Sequence, residues 1–208
     1  MQDKKLASLV QKSARISDAL SKSLGGEAVL NDRERLAMVY FSVSLDHREA
    51  ILLLVHKGAY TSATALQRPL LEAFVTGAWL DSSATEPQLQ DIMSLKHSPP
   101  KFETMAQKLR KTHAFGSWFE VFRKHYEILG DYAHGHRRQL SRWISPLGIE
   151  PRYSVDQMAE VLRHTDLIGL LAAIHREKLS KRPTEHLLTH LEELLERPSC
   201  EEKTPPAQ

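Results

Sequence analysis

The segment at residues 60–80 reads YTSATALQRPLLEAFVTGAWL, and it decides the fold class. It is apolar nearly all round at helical spacing, which is typical of a central helix buried on every side. Its only charges are Arg68 and Glu72, and no other charged residue lies between Lys57 and Asp81. We therefore expect a helical protein built around this segment.

Two polar features qualify the segment. Pro69 removes one backbone hydrogen bond, so we expect either a bent helix or a short break with Pro69 in the first turn of a new helix. Gln67, Arg68 and Glu72 lie in its middle, where a bilayer core would penalise them. The segment is thus expected to be a buried helix and not a membrane span. No signal peptide is visible at the N-terminus, so we expect a cytoplasmic protein with no membrane partner.

Helical periodicity dominates the rest of the chain. Asn31 followed by Glu34 predicts a capped second helix, whose predicted buried stripe is Leu36, Tyr40, Val43, His47, Ala50 and Leu54. Gly130 is predicted to end a later helix. The full set of predicted helices is 6–24, 31–57, 60–80, 88–95, 101–111, 115–129, 131–144, 154–179 and 184–196, with a loop at 145–153.

These elements predict an all-α, up-and-down bundle of about four long helices with shorter additional ones. We expect one domain over residues 1–196 and a disordered tail over 197–208, because the tail has three prolines and no periodicity. The 208 residues carry 28 Lys and Arg against 26 Asp and Glu. This apolar, charge-balanced composition excludes a disordered chain. The single cysteine, Cys200, excludes an internal disulfide scaffold.

The first candidate constellation is the pair Arg68 and Glu72, which share a helix face at i,i+4. Two charges in so apolar a helix each need a partner. They form either an internal ion pair that locks the bundle or part of a charged cavity between helices.

The second constellation is the stretch GDYAHGHRR at residues 130–138. On a continuous helix Asp131, His134 and Arg138 share one face and have the parts of an acid–base site. His134 would move a proton near neutral pH, Asp131 would fix its tautomer, and Arg138 would hold a phosphate. The alternative is an interhelical network in which His134 pairs with Glu72 and Arg68 pairs with Asp131.

His47 is a third candidate because it lies in the predicted apolar stripe of the second helix. It is interpreted either as a hydrogen-bonded core residue or as a member of the same site as Glu72 and His134.

Eleven histidines raise the question of a metal. No Glu is followed by a His three residues later, so the ligand pairs of di-iron bundles are absent. One Asp131-x-x-His134 pair is present, and with Glu72 and His47 it could still form a metal site as a third, weaker alternative. The sequence otherwise predicts neither a metal nor another cofactor.

Charge is unevenly distributed. Residues 107–142 contain eight Lys and Arg against three acidic residues, whereas residues 185–202 contain six Glu and one Arg. The basic middle could contact RNA or a nucleotide, and the acidic end could shield it or contact a second copy. Two ordinary solvated helix faces are the alternative.

The segments ALQRPLLEAFV at 65–75 and DYAHG at 131–135 carry a resemblance. They resemble a family of uncharacterised bacterial all-helical proteins, which in outline is similar to the HEPN (higher eukaryote and prokaryote nucleotide-binding) superfamily. That resemblance implies a helical bundle that is often dimeric. It also implies a metal-independent ribonuclease of toxin or phage-defence systems, with an antitoxin or defence partner. The Arg-x(4–6)-His hallmark of those enzymes is absent, so no catalytic residue is carried over by motif.

Two functional hypotheses follow. In the first the protein is a ribonuclease-like or nucleotide-processing enzyme, with His134 as acid–base, Asp131 as its orienter and Arg68 and Arg138 as phosphate contacts. Glu72 would position Arg68. In the second it is a non-enzymatic homodimer, a regulatory or interaction module in which the same side chains form a buried polar network.

Overall fold

The structure is a computed structural model that describes residues 2–23, 30–111, 116–145 and 148–196. Within these ranges it contains nine helices and one two-stranded hairpin, so the all-α prediction is confirmed. The helices are α1 Gln2–Ser23, α2 Asp32–His56, α3 Tyr60–Ser82, α4 Glu86–Met93, α5 Phe102–Leu109, α6 Gly116–Ala133, α7 Arg137–Ser141, α8 Val155–Leu179 and α9 Glu185–Leu195. The predicted tail over 197–208 and the predicted end of the first helix at residue 24 lie outside the described residues.

The ends of α2 follow local rules. The Asn31 side chain accepts from the Glu34 backbone nitrogen at 3.0 Å, and the Glu34 carboxylate accepts from the Asn31 backbone nitrogen at 2.8 Å. This reciprocal capping box is the one predicted. After His56 the chain turns at Gly58, which has a φ of +76°. Glycine adopts this left-handed conformation without a side-chain clash.

The central helix is α3, which packs against α2, α5, α6 and α8. It continues through Pro69 without a break. Leu70, Phe74 and Trp79 on it are fully buried. Burial on several sides is the outcome predicted from its nearly uniform apolar sequence. Of the helices in the described ranges, none is long and apolar enough to cross a bilayer.

The predicted stripe of α2 is wrong by about one residue. The residues of α2 that are buried in the core are Ala37, Phe41, Ser44, Leu45, Arg48, Ile51, Leu52 and Val55. The predicted stripe is only half-buried, and Val43 is 38% exposed. Because α2 is apolar on two faces, periodicity alone could not tell which face α3 and α8 cover.

Two predicted boundaries after residue 115 are also wrong. Helix α6 does not end at Gly130 but continues to Ala133. The turn comes at Gly135, where φ is +68°. The predicted helix over 131–144 is therefore divided between the end of α6 and the short α7. Gly130 thus lies inside a helix and does not end one. Its lack of a side chain lets Arg68 approach α6 closely at this position.

The predicted loop at 145–153 contains a small hairpin. Ile144–Ser145 pairs antiparallel with Gly148–Ile149, and Ile144 lies opposite Ile149. The preceding Trp143 ties this region to α3, because its indole nitrogen donates to the Thr61 hydroxyl at 3.1 Å.

A charged side chain lies in the core where α1, α2 and α8 meet. The Arg48 guanidinium is fully buried and donates to the Asp166 carboxylate at 2.6 and 3.2 Å. It also donates to the Ser13 carbonyl at 2.6 Å. Buried charges need partners of this kind, since an unpaired one would be strongly destabilising. Arg48 and Asp166 thus form an ion pair in which both side chains are buried, and this pair was not predicted from the sequence.

Candidate functional site

Arg68, Glu72 and Tyr126 form a closed hydrogen-bonded cluster between α3 and α6. The Arg68 Nε donates to Glu72 Oε1 at 3.0 Å, and Nη2 donates to the Tyr126 hydroxyl at 2.6 Å. The Tyr126 hydroxyl in turn donates to Glu72 Oε1 at 2.9 Å. The Arg68 and Glu72 side chains are 21% and 41% exposed, so solvent and ligands can reach the pair.

The surroundings of the cluster keep the Arg68 guanidinium and the Tyr126 hydroxyl protonated. Partial burial acts to lower the pKa of Arg68, but its hydrogen bond to Glu72 and the charges of Tyr126 and Glu72 outweigh that effect and raise the pKa. The pKa of Tyr126 is raised, first by burial and then by its hydrogen bond to Glu72. Arg68 is therefore a permanent cation, and Tyr126 keeps its proton at neutral pH.

Packing fixes the guanidinium from two further sides. Tyr126 stacks on Phe102 with ring centroids 3.8 Å apart and planes at 3°. The Arg68 Cζ lies 4.4 Å from the Tyr126 ring centroid, within cation–π distance. A Cβ on Gly130 would lie 2.8 Å from Arg68 Nη1, so Gly130 makes room for this nitrogen. Among the described residues Nη1 has no hydrogen-bond acceptor.

The cluster forms one wall of an open groove of about 710 Å³ between α2, α3, α5 and α6. This volume falls in the range of small-molecule sites. The groove is also lined by Tyr40, Val43, His47, Ala73, Lys101 and Glu103. It thus combines apolar and aromatic walls with a few polar groups, as ligand sites usually do.

His47 belongs to the groove and not to the core. It shares the groove with Glu72, as one of its two interpretations required, but His134 does not line this groove. Burial lowers the pKa of His47, and the neighbouring Asp46 opposes that shift. His47 is therefore mostly neutral at pH 7 and offers one donor and one acceptor.

The other three predicted site residues form a second group at the end of α6. Asp131 pairs with Arg138 at 3.2 Å, and its carboxylate lies 3.9 Å from His136 Nδ1. The His134 ring lies 5.7 Å from the His136 ring, between centroids, and is exposed. Within the described residues Asp131 makes no hydrogen bond to His134.

Arg68 and Glu72 therefore form one polar pair, and Asp131 and Arg138 form a second. Within the described residues His134 joins neither pair. The helical wheel that placed Asp131, His134 and Arg138 on one face assumed a continuous helix, which the turn at Gly135 interrupts. Asp131 and Arg138 still meet across this turn. The alternative network, in which Arg68 would pair with Asp131, is not formed. Arg68 pairs with Glu72 on its own helix.

Sequence reasoning missed Tyr126 and Arg48. Tyr126 lies four residues before Gly130, so the two share a face of α6, but nothing in the sequence joins that face to Arg68. For Arg48 the sequence did contain a signal of a buried charge. It lies at helical spacing between Phe41 and Val55, the only charge on that apolar face. No group of three metal-binding side chains converges anywhere in the described ranges.

Comparisons with known proteins give one result. Searches of curated proteins and of solved structures returned no match, and no link to the HEPN superfamily was found. Residues 41–194 match the model of the Family of unknown function (DUF6988), which covers Arg48, both groups of predicted site residues and the groove except for Tyr40. Since the match spans well over half of the 208 residues, the chain belongs to this family of unknown function.

Proposed function

We propose that the groove binds a phosphate-bearing ligand, a nucleotide or a segment of RNA, with Arg68 as the phosphate contact. The carrying observation is a guanidinium held by Glu72 and Tyr126 at the wall of an open groove of about 710 Å³. Its planar fork suits phosphate oxygens. A side chain already fixed in place loses little entropy when it binds.

Other groups in the groove supply the remaining contacts. Lys101 is exposed at the start of α5 and adds a second cation. Tyr40 and His47 on α2 offer ring surface and hydrogen bonds to a base. Glu72 balances the charge of Arg68, so we expect affinity to depend on contacts with the base as well as on the phosphate.

The direct test is fluorescence anisotropy with labelled nucleotides and a short labelled RNA. Arg68→Gln should weaken binding at least tenfold, since a charge-assisted hydrogen bond is worth about 1.5–3 kcal/mol. Arg123→Gln is the matched control, because it removes the same charge from the exposed face of α6. Equal affinity of wild type and Arg68→Gln, or no binding by wild type, would contradict the proposal.

A finer version is catalytic: an HEPN-like, metal-independent ribonuclease or nucleotide-processing enzyme of stress or phage defence. Here His134 is the acid–base group, and Asp131 holds Arg138 against a phosphate. His134 and Arg138 are exposed just beyond the end of α6, the helix that also supplies Tyr126, and this position supports the catalytic version.

The catalytic version makes a separate prediction. His134→Ala should abolish the RNA cleavage that is measured in the presence of a metal chelator. It should leave the unfolding temperature unchanged, because the His134 side chain is exposed. His136→Ala, a neighbouring exposed histidine, is the control. Cleavage that survives in His134→Ala would exclude this role.

A second candidate function is a non-enzymatic homodimer that acts as a regulatory or interaction module. It is favoured by exposed aliphatic side chains, among which Leu140, Ile144 and Ile149 are 54%, 58% and 82% exposed. A clustered apolar surface of this kind usually marks an interaction site. Light scattering after size exclusion should give the mass of a dimer, and a monomer at every concentration would exclude it.

A further inference from the structure

The region formed by α7 and the hairpin has an unusual surface, here called the α7–hairpin surface (residues 136–145 and 148–152). Leu140, Ile144 and Ile149 are exposed on it, and Ile144 pairs directly with Ile149 across the two strands. Cross-strand neighbours present their side chains side by side when they lie on the same face. The surface therefore contains a local aliphatic patch.

Arginines are frequent in the same segment. The described part of 136–152 contains four Arg and one Glu. Arg138 and Arg152 pair with carboxylates of Asp131 and Glu150. Among the described residues, Arg137 and Arg142 have no carboxylate within ion-pair distance. The α7–hairpin surface is thus both aliphatic and basic, with two uncompensated cations.

Helix α9 presents the complementary chemistry. It packs on α8 and α1, and its Leu187 and Leu194 are buried. The neighbouring face, about 100° around the helix, exposes Leu188 and Leu195, at 40% and 44%, with Glu192 between them at helical spacing. Residues 185–196 contain four Glu and no Lys or Arg. This α9 face, defined by Glu185, Leu188, Glu192, Leu195 and Glu196, is aliphatic and acidic.

We propose that the α9 face of one copy docks on the α7–hairpin surface of a second copy. This inference rests on the homodimer proposed above and names its contacting surfaces. Leucines meet isoleucines, and glutamates meet the uncompensated Arg137 and Arg142. A two-fold arrangement makes this contact twice, because each copy contributes both surfaces.

A second copy fits these observations better than nucleic acid or a membrane. The α7–hairpin surface offers aliphatic side chains, whereas single-stranded nucleic acid is usually held by aromatic rings that stack on bases. An anionic membrane would match the arginines and isoleucines. It would leave unexplained why α9 exposes leucines beside charges of the opposite sign.

The test is a charge swap on the full chain, followed by light scattering and sedimentation. Arg137→Glu with Arg142→Glu should weaken the dimer at least tenfold, because like charges then face each other. Glu192→Lys with Glu196→Lys should do the same. Combining all four substitutions in one chain should restore the dimer. Mixing the two double variants should restore it too, since each contact then joins opposite charges.

The matched control is Lys111→Glu with Lys124→Glu, which changes the net charge equally on exposed residues of another face. This control should leave the dimer unchanged. If neither double variant weakens the dimer, the proposed α9 contact is wrong, although the protein is still a homodimer. A wild type that is monomeric at all concentrations overturns both. Binding of anionic vesicles or RNA by a monomer through Arg137 and Arg142 also overturns the inference.

Discussion

Replacing the buried Asp166 is the sharpest test of what holds this bundle together. Its side chain is 5% exposed and accepts two hydrogen bonds from Arg48, whose side chain is fully buried. Asp166→Asn keeps the shape of the side chain and removes its charge. The Arg48 cation then loses its buried counter-charge. Glu49 also contacts Arg48, but its side chain is 50% exposed, so water screens that pair.

Breaking a buried ion pair by removing one partner costs about 3–5 kcal/mol. For a chain of this length, 1 kcal/mol lowers the unfolding temperature by about 2–4 °C. We therefore expect Asp166→Asn to lower it by roughly 6–20 °C. The double variant Arg48→Met with Asp166→Leu should lose much less than the sum of its single changes, because no charge is left buried.

The assay is urea unfolding followed by circular dichroism, with Arg68→Met as a control. The Arg68–Glu72 pair is partly exposed, so its loss should cost only about 1 kcal/mol. A loss below about 1 kcal/mol for Asp166→Asn would refute the claim that the Arg48 pair locks α1, α2 and α8. Equal losses for Arg68→Met and Asp166→Asn would refute the distinction between the two arginines.

Three further predictions follow from single contacts. Gly130→Ala should keep or raise stability, because alanine favours helix, but it should weaken nucleotide binding, because its Cβ would push Arg68 Nη1 away. Gly77→Ala should destabilise by about 1–3 kcal/mol, since its Cβ would lie 2.8 Å from the buried Phe41 ring; a thermal melt measures this. Burial lowers the pKa of His164 in the folded protein from its ordinary value of 6.5 to about 4. Between these two pH values the unfolded chain therefore binds more protons than the folded protein. Stability should therefore fall from pH 6.5 towards pH 4, with a smaller fall in His164→Gln.

Local signals in the sequence were sufficient for most of the helices and for the N-terminal cap of α2. The capping box of Asn31 and Glu34 depends only on residues three apart, so it could be predicted. The glycine stop at Gly130 failed because a glycine also serves close packing. Only the folded structure places Arg68 against it.

The pairing of side chains from distant helices could not be predicted. Arg68 and Glu72 were found because i,i+4 spacing joins them on one helix. Tyr126, their third partner, comes from α6, and Arg48 meets Asp166 across 118 positions. Periodicity identifies a face of a helix but not the helix that covers it, which is also why the wrong stripe of α2 was chosen.

The central claim is that the groove beside Arg68 is the ligand site of this protein. The most direct measurement is a titration of ¹⁵N-labelled protein with a nucleotide and with a short RNA, followed by amide chemical shifts. We predict saturable shifts of Val43, His47, Thr76 and Phe102, which line the groove. These shifts should be lost in Arg68→Gln and kept in Arg123→Gln. Shifts confined to residues 134–142, or no shifts with any of these ligands, would contradict the claim.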